Sequence, residues 1–140
     1  MSKVAVVFWS GTGNTESMAE GVLAGAVEKG AEATLFTASD FDSSKLADFD
    51  TFAFGCPSMG AEVLEEDEFE PMFSGCLSGL AGKKVALFGS YGWGDGEWMR
   101  NWESECKDAG VELVAEGLTV NEAPDDDAIE QCKALGALLA

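Results

Sequence analysis

The chain has 140 residues, about one domain's worth, long enough to bury a core and too short for two catalytic domains. Hydrophobic residues make up 46% of it, with 17 glycines and three prolines, which is a globular composition. Eight basic against 26 acidic residues give a formal charge of −18, the wrong sign for a phosphate backbone or an anionic membrane surface, so neither nucleic acid nor membrane is expected as a partner.

Val4 to Trp9 is a continuous apolar, β-branched run, the pattern of a strand buried on both faces. It is far shorter than the roughly 20 residues of a bilayer span. Met1-Ser2-Lys3 leads straight into it with no cleavable signal, so a soluble cytoplasmic domain is expected. After a turn at Ser10 to Asn14, apolar residues at Met18, Val22, Leu23, Ala26 and Val27 predict a helix to about Lys29, stopped by Gly30. Ala33 to Thr37 and Phe52 to Cys56 read as the second and third strands. A helix is expected over Glu65 to Leu80 and a fourth strand over Val85 to Gly89. A glycine-rich loop, Ser90 to Gly96, then precedes a helix of about Glu97 to Asp108 with Trp98, Trp102 and Cys106 on one face. Val111 to Val120 supplies a fifth strand, and a last helix starts near Pro124-Asp125 with carboxylates at its positive end.

Alternating strands and helices without a repeat or linker imply one α/β domain over residues 1–140, a parallel sheet with helices on both faces. In such sheets ligands sit beyond the carboxyl ends of the strands, and the loops after strands one, three and four carry unusual composition. The chain has no histidine, which removes Ser-His-Asp and Cys-His machinery and the commonest metal ligand. Cys56, Cys76, Cys106 and Cys132 have no C-x-x-C spacing and are expected as buried thiols, with no metal site. Any chemistry must come from something the chain binds.

The first loop, Ser10-Gly11-Thr12-Gly13-Asn14-Thr15, joins a buried strand to a helix start. Its glycines let successive N–H groups turn inward, the helix N-terminus adds positive potential, and four side chains can hydrogen-bond phosphate oxygens. It lacks the lysine of a nucleoside-triphosphate loop, and Glu16 stands where a dinucleotide fingerprint needs a third glycine. A single phosphomonoester held by neutral donors fits best.

Trp9-Ser10-Gly11-Thr12-Gly13-Asn14-Thr15-Glu16 resembles the phosphate signature of the flavodoxins. The likeness continues through Gly55-Cys56-Pro57-Ser58-Met59-Gly60, Leu87-Phe88-Gly89-Ser90-Tyr91-Gly92-Trp93-Gly94 and Asn121-Glu122, at the length of the short-chain branch with an uninterrupted fifth strand. The resemblance implies a doubly wound, five-stranded parallel sheet in order 2-1-3-4-5 and non-covalent FMN. It also implies one-electron transfer between other proteins, with no substrate turnover of the chain's own and monomeric behaviour.

A planar tricyclic ring needs apolar walls and a few polar groups at one edge. The loop after strand three offers Pro57, Ser58, Met59, Gly60, Ala61 and Glu62; the loop after strand four offers Ser90, Tyr91, Gly92, Trp93 and Gly94. The resemblance implies that Trp93 covers one face of the isoalloxazine, Met59 covers the other, and Glu62 accepts from N3–H. Two residues depart from the family pattern: Pro57 replaces a small hydroxyl residue, and Ala61 stands where Asp or Gly is usual. Trp9 ends a strand and fits either core or site.

Glu62, Glu65, Glu66, Asp67, Glu68 and Glu70 follow one of these loops and Asp95 and Glu97 follow the other, with no cation in either. One unit charge at ~8 Å with an effective dielectric near 20 contributes about 2 kcal/mol of repulsion toward an anionic reduced ring, on the order of 90 mV. The expected function is therefore a low-potential carrier cycling mainly semiquinone/hydroquinone, docking on basic-surfaced redox proteins. The alternative is an FMN-dependent NAD(P)H reductase, for which 140 residues leave little room beyond the sheet. A receiver domain would need an aspartate ending strand three, where Cys56-Pro57 stand, and a low-molecular-weight phosphatase needs an arginine in its phosphate loop, whereas Arg100 is on a helix.

The resemblance implies that the Gly60–Ala61 peptide flips on flavin reduction. In an unflipped type II turn Ala61 would need positive φ, at a cost of roughly 1–2 kcal/mol, and the flipped form relieves it. Ala61→Gly is therefore expected to lower the oxidised/semiquinone potential by about 40 mV per kcal/mol of relieved strain; a spectroelectrochemical titration giving an unchanged or higher value would refute this.

Overall fold

A computed structural model of the chain describes residues 2–60 and 62–140. In chain order the elements are β1 (Lys3–Phe8), α1 (Asn14–Glu28), β2 (Glu32–Thr37), two 3-10 turns (Ala38–Asp40 and Ser43–Asp48), β3 (Thr51–Gly55) and α2 (Phe69–Leu77) with a 3-10 turn (Ser78–Leu80). Then follow β4 (Lys84–Tyr91), α3 (Glu97–Asp108), β5 (Glu112–Leu113), β6 (Leu118–Asn121) and α4 (Asp126–Ala137). The strands pair in parallel in the order β2-β1-β3-β4-β5, with β6 also beside β4. The doubly wound order implied by the resemblance is thus the one observed.

Alternation of side chains across the sheet divides the core in two. Val4, Val6, Phe8, Ala53, Ala86 and Phe88 face α1 and α4. Ala5, Val7, Phe52, Phe54, Val85 and Leu87 face α2 and α3, where the Trp102 ring meets Phe69 and Phe73 nearly edge-on, each at 5.5 Å between centroids. All four cysteines are buried and free. No helix among the described residues is long and apolar enough to cross a membrane.

Two expected elements need correction, and the alternation of strand and helix lapses once. The fifth strand is interrupted: β5 and β6 are separated by residues 114–117, because the Glu103 carboxylate accepts from the Gly117 N–H at 2.7 Å and draws the segment toward α3. The crossover from β2 to β3 contains only 3-10 turns. There the Thr37 hydroxyl donates to Asp40 and the Asp42 carboxylate accepts from the Ser44 N–H, local bonds that compete with helix propagation. The α2 helix begins at Phe69 rather than Glu65, since the Glu65 side chain captures the amides that would have started it.

The register places the carboxyl ends together. Phe8 lies opposite Gly55, Gly55 opposite Phe88 and Phe88 opposite Leu118, so the following residues of four strands emerge along one edge. The same strand order packs α1 against α4 so closely that a Cβ at Gly25 would strike the Lys133 carbonyl, and one at Gly136 the Val22 carbonyl. Gly75 on α2 faces open space. Gly25→Ala is expected to cost about 1–3 kcal/mol through overpacking, and Gly75→Ala to add about 0.5–1 kcal/mol, both read by chemical denaturation.

Candidate cofactor site

The first loop leaves β1 with the Trp9 N–H donating to the Gly55 carbonyl at 3.0 Å. Ser10 Oγ then accepts from the Gly13 N–H at 3.0 Å, folding the turn on itself, and Gly13 takes φ 95°, a left-handed conformation suited to glycine. The first backbone-to-backbone bond of the turn is that of the Ser17 N–H, to the Gly13 carbonyl at 3.0 Å. The N–H groups of Asn14, Thr15 and Glu16 precede it and are the donors a helix leaves free at its start. Thr15 is buried, and its hydroxyl meets Ser90 Oγ at 2.9 Å, tying the first loop to the end of β4.

The second loop continues the β3–β4 ladder beyond both strands: Cys56 N–H donates to the Phe88 carbonyl at 3.1 Å and Ser58 N–H to the Ser90 carbonyl at 3.0 Å. It turns at Met59, whose carbonyl accepts from Glu62 N–H at 2.8 Å and whose N–H donates to the Val63 carbonyl at 3.0 Å. Glu62 has φ 51°, and its carboxylate accepts from the Glu97 N–H at 3.2 Å, reaching across to the positive end of α3.

The third loop begins later than the sequence pattern suggests, because β4 carries Ser90 and Tyr91 within the strand. Trp93 is 61% exposed. Arg100, one turn into α3, donates to the Asp95 carbonyl at 2.8 Å and to its carboxylate at 2.9 Å. The helix thereby returns a cation to a loop that has none in its own sequence. This pair holds the Asp95 carboxyl below its usual range, first through the hydrogen bond and then through charge.

These loops enclose a cleft of about 280 Å³ lined by Trp9, Gly11, Thr12, Asn14, Pro57, Ser58, Met59, Ser90, Tyr91, Gly92 and Glu122. One end presents Thr12, Asn14 and the first-turn amides without a lysine or arginine; the other presents Trp9, Met59 and Tyr91 with the polar edges of Ser58, Ser90 and Glu122. The first suits a phosphomonoester and the second a planar ring, so the residues present fit FMN. Against this geometry, the flavodoxin family model matches residues 6–136. The chain belongs to the flavodoxin family.

Among its relatives, the flavodoxin of Clostridium beijerinckii is 45% identical over 96% of this chain and 97% of its own. That of Megasphaera elsdenii is 43% identical over 98% of each. The solution structure of two-electron-reduced M. elsdenii flavodoxin superposes with a TM-score of 0.88 at 42% identity, covering 97% of each chain. A flavodoxin from the domain Archaea gives 0.89 at 27% identity, over 99% of this chain and 96% of its own. Flavodoxins are FMN-binding electron carriers, and FMN is the cofactor of this chain.

Within this flavodoxin fold the residues expected at the cofactor divide by position. Gly11, Thr12, Asn14, Pro57, Ser58, Met59, Ser90, Tyr91 and Gly92 line the cleft. Ser10, Gly13 and Thr15 form the loop behind it, and Gly60, Trp93 and Gly94 are exposed on the flanking loops. Glu62 lines a neighbouring groove of about 290 Å³, with Glu66, Glu70 and Glu105 around Trp98 and Trp102. In that groove burial, and then Glu70, raise the Glu105 carboxyl above its ordinary value. Ala61 lies outside the described residues. Trp9, which the sequence leaves between core and site, and Glu122, named only within the family likeness and given no role, also line the cleft. Trp9 carried an ambiguous signal as the residue joining strand to loop, and Glu122 is placed by φ 60° and by donating its N–H to the Tyr91 carbonyl at 2.7 Å.

Behind the second loop, buried Glu65 accepts from the N–H groups of Asp67, Glu68 and Phe69 at 2.9, 2.8 and 2.8 Å. Burial is the largest influence on its acidity and acts upward, but the three donors outweigh it and hold the carboxyl below its usual value. A depressed native value means stability that is complete above the unfolded carboxyl value, about 4.3, and is lost as pH falls through the native one. Glu65→Gln is expected to cost about 1–3 kcal/mol at pH 7, with the difference from the unaltered protein vanishing in acid, as followed by denaturation at a series of pH values.

Proposed function

We propose that this chain is a low-potential, single-domain one-electron carrier, shuttling its FMN mainly between the one- and two-electron-reduced forms and docking on basic-surfaced redox proteins. It turns over no substrate of its own and works as a cytoplasmic monomer. The observation that supports this best is the uncompensated anionic surround of the cleft. Glu122 lines the cleft itself, Glu62, Glu66, Glu70 and Glu105 line the adjoining groove, and the chain's one arginine is engaged by Asp95.

The bound flavin supplies one-electron redox chemistry at its ring. The chain's part is to hold and tune it. Thr12, Asn14 and the first-turn amides of α1 are the donors for the phosphate, a neutral set that binds through dipoles. Met59, with Trp9 and Tyr91 in the cleft and exposed Trp93 on the flanking loop, would wall the ring, and the polarizable thioether suits contact with an aromatic face. The surrounding carboxylates would disfavour negative charge on the reduced ring, and so would make its full reduction harder. Their field also favours encounter with positively charged surfaces.

The alternative, an FMN-dependent NAD(P)H reductase, differs in one measurable respect. Stopped-flow mixing of the FMN-loaded protein with NADH or NADPH alone is expected to leave the flavin oxidised on the timescale of partner-mediated transfer. Addition of a basic-surfaced reductase should then give fast reduction, slowing about tenfold as the Debye length shrinks from roughly 10 Å to 3 Å between 0.1 and 1 M salt. Multiple turnovers of NAD(P)H by the chain alone would reject the carrier reading.

A further inference from the structure

The second loop is built as a closed base with an open tip. At its base Cys56 has every polar group engaged. Its N–H donates to the Phe88 carbonyl at 3.1 Å, its carbonyl accepts from the Trp98 indole N–H at 3.1 Å, and its sulfur accepts from the Glu65 N–H at 3.3 Å. The sulfur also faces the Pro57 carbonyl at 3.5 Å. Burial pushes the thiol up to about 12, so it stays protonated at neutral pH and can donate to Pro57 while accepting from Glu65. Glu65 is equally committed, with its carboxylate on the Asp67, Glu68 and Phe69 amides and its carbonyl accepting from Glu70 N–H at 2.9 Å. The tip differs: Gly60 is exposed, and a Cβ placed there would meet nothing within 4 Å.

We propose that Cys56 and Glu65 act as one clamp that sets the position of Met59 and its loop against the flavin ring, making Glu65 a positioning residue for a group it does not touch. The second loop leaves the sheet at Cys56 and rejoins the helical layer at Glu65, so the sulfur–amide contact closes it at its neck. With the neck fixed, the Met59 turn is held over the cleft while Gly60 is left free to change its backbone. The carboxylate matters because it locks the strand of chain carrying the Glu65 N–H to the start of α2, whose Phe69 and Phe73 are buried in the core. Phosphate recognition lies elsewhere, on the first loop, and is not served by this clamp.

The inference rests on the reading of the cleft as the flavin site, and the test separates the two. Riboflavin, FMN and inorganic phosphate are titrated into the apoprotein of the unaltered chain and of Glu65→Ala, Cys56→Ala and the double variant. Amide exchange at Met59 and Glu62 is measured alongside. The expected result is a riboflavin affinity about tenfold weaker in each single variant, an equal loss for FMN and unchanged phosphate affinity. Exchange at Met59 and Glu62 should be faster, with α1 unaffected, and the double variant should be no worse than the singles. Should Glu65→Ala fail to fold, Cys56→Ala and Glu65→Gln carry the test. Unchanged riboflavin affinity in variants that still bind FMN, or phosphate affinity falling by the same factor as FMN, would overturn the clamp. Failure of the unaltered chain to bind FMN would instead overturn the assignment of the cleft.

Discussion

The parallel register of β1, β3, β4 and β6 is the constraint from which the site follows. Because Phe8, Gly55, Phe88 and Leu118 stand in line across the sheet, the residues after them leave the core at one level and meet over one edge. A single step of register would reverse every side chain on a strand, placing core phenylalanines in solvent, so burial on both faces fixes it firmly. The cleft inherits that rigidity. Its floor is the end of a sheet whose β1, β3 and β4 side chains are nearly all out of water, and Thr15 and Ser90 are joined at that floor by a buried hydroxyl pair.

In the proposed function, this floor separates two tasks. The first loop offers amides and hydroxyls, strong enough as a set to hold an anion without adding a counter-charge. The second and third loops offer apolar and aromatic surface surrounded by carboxylates. A lysine in the first loop would hold phosphate as well but would also lower the cost of reducing a nearby ring. In the proposed function, neutral donors would keep binding and redox tuning independent. Arg100 complicates this division only locally, since its guanidinium is spent on Asp95 in an exposed pair of the kind that salt weakens.

Glu65 illustrates how one side chain can serve folding and placement together. Read as part of an acidic run, it belongs with its neighbours on a solvated helix face. In the fold it is buried, its carboxylate stands at the start of α2 where the helix dipole and three amides receive it, and the helix is shortened as a result. Glu66, Asp67, Glu68 and Glu70 remain exposed. What sets Glu65 apart in the fold is its backbone, anchored on the Cys56 sulfur, and its carboxylate, turned onto the amides of the next residues.

By itself the sequence determined the alternation of buried strands and amphipathic helices, the strand order through its likeness to a known family, and the chemistry of the first loop. All of these depend on residues close together in the chain, where hydrophobic period, glycine placement and capping act. Only the tertiary structure decided that Trp9 and Glu122 turn into the cleft, that Glu62 reaches α3 and that Arg100 covers the third loop. It also decided that the fifth strand breaks at residues 114–117. Apart from Arg100, whose partner Asp95 is five residues away, these turn on contacts between residues far apart in the chain, such as Gly117 with Glu103 or Glu62 with Glu97, and such contacts come into being only when the helices settle on the sheet.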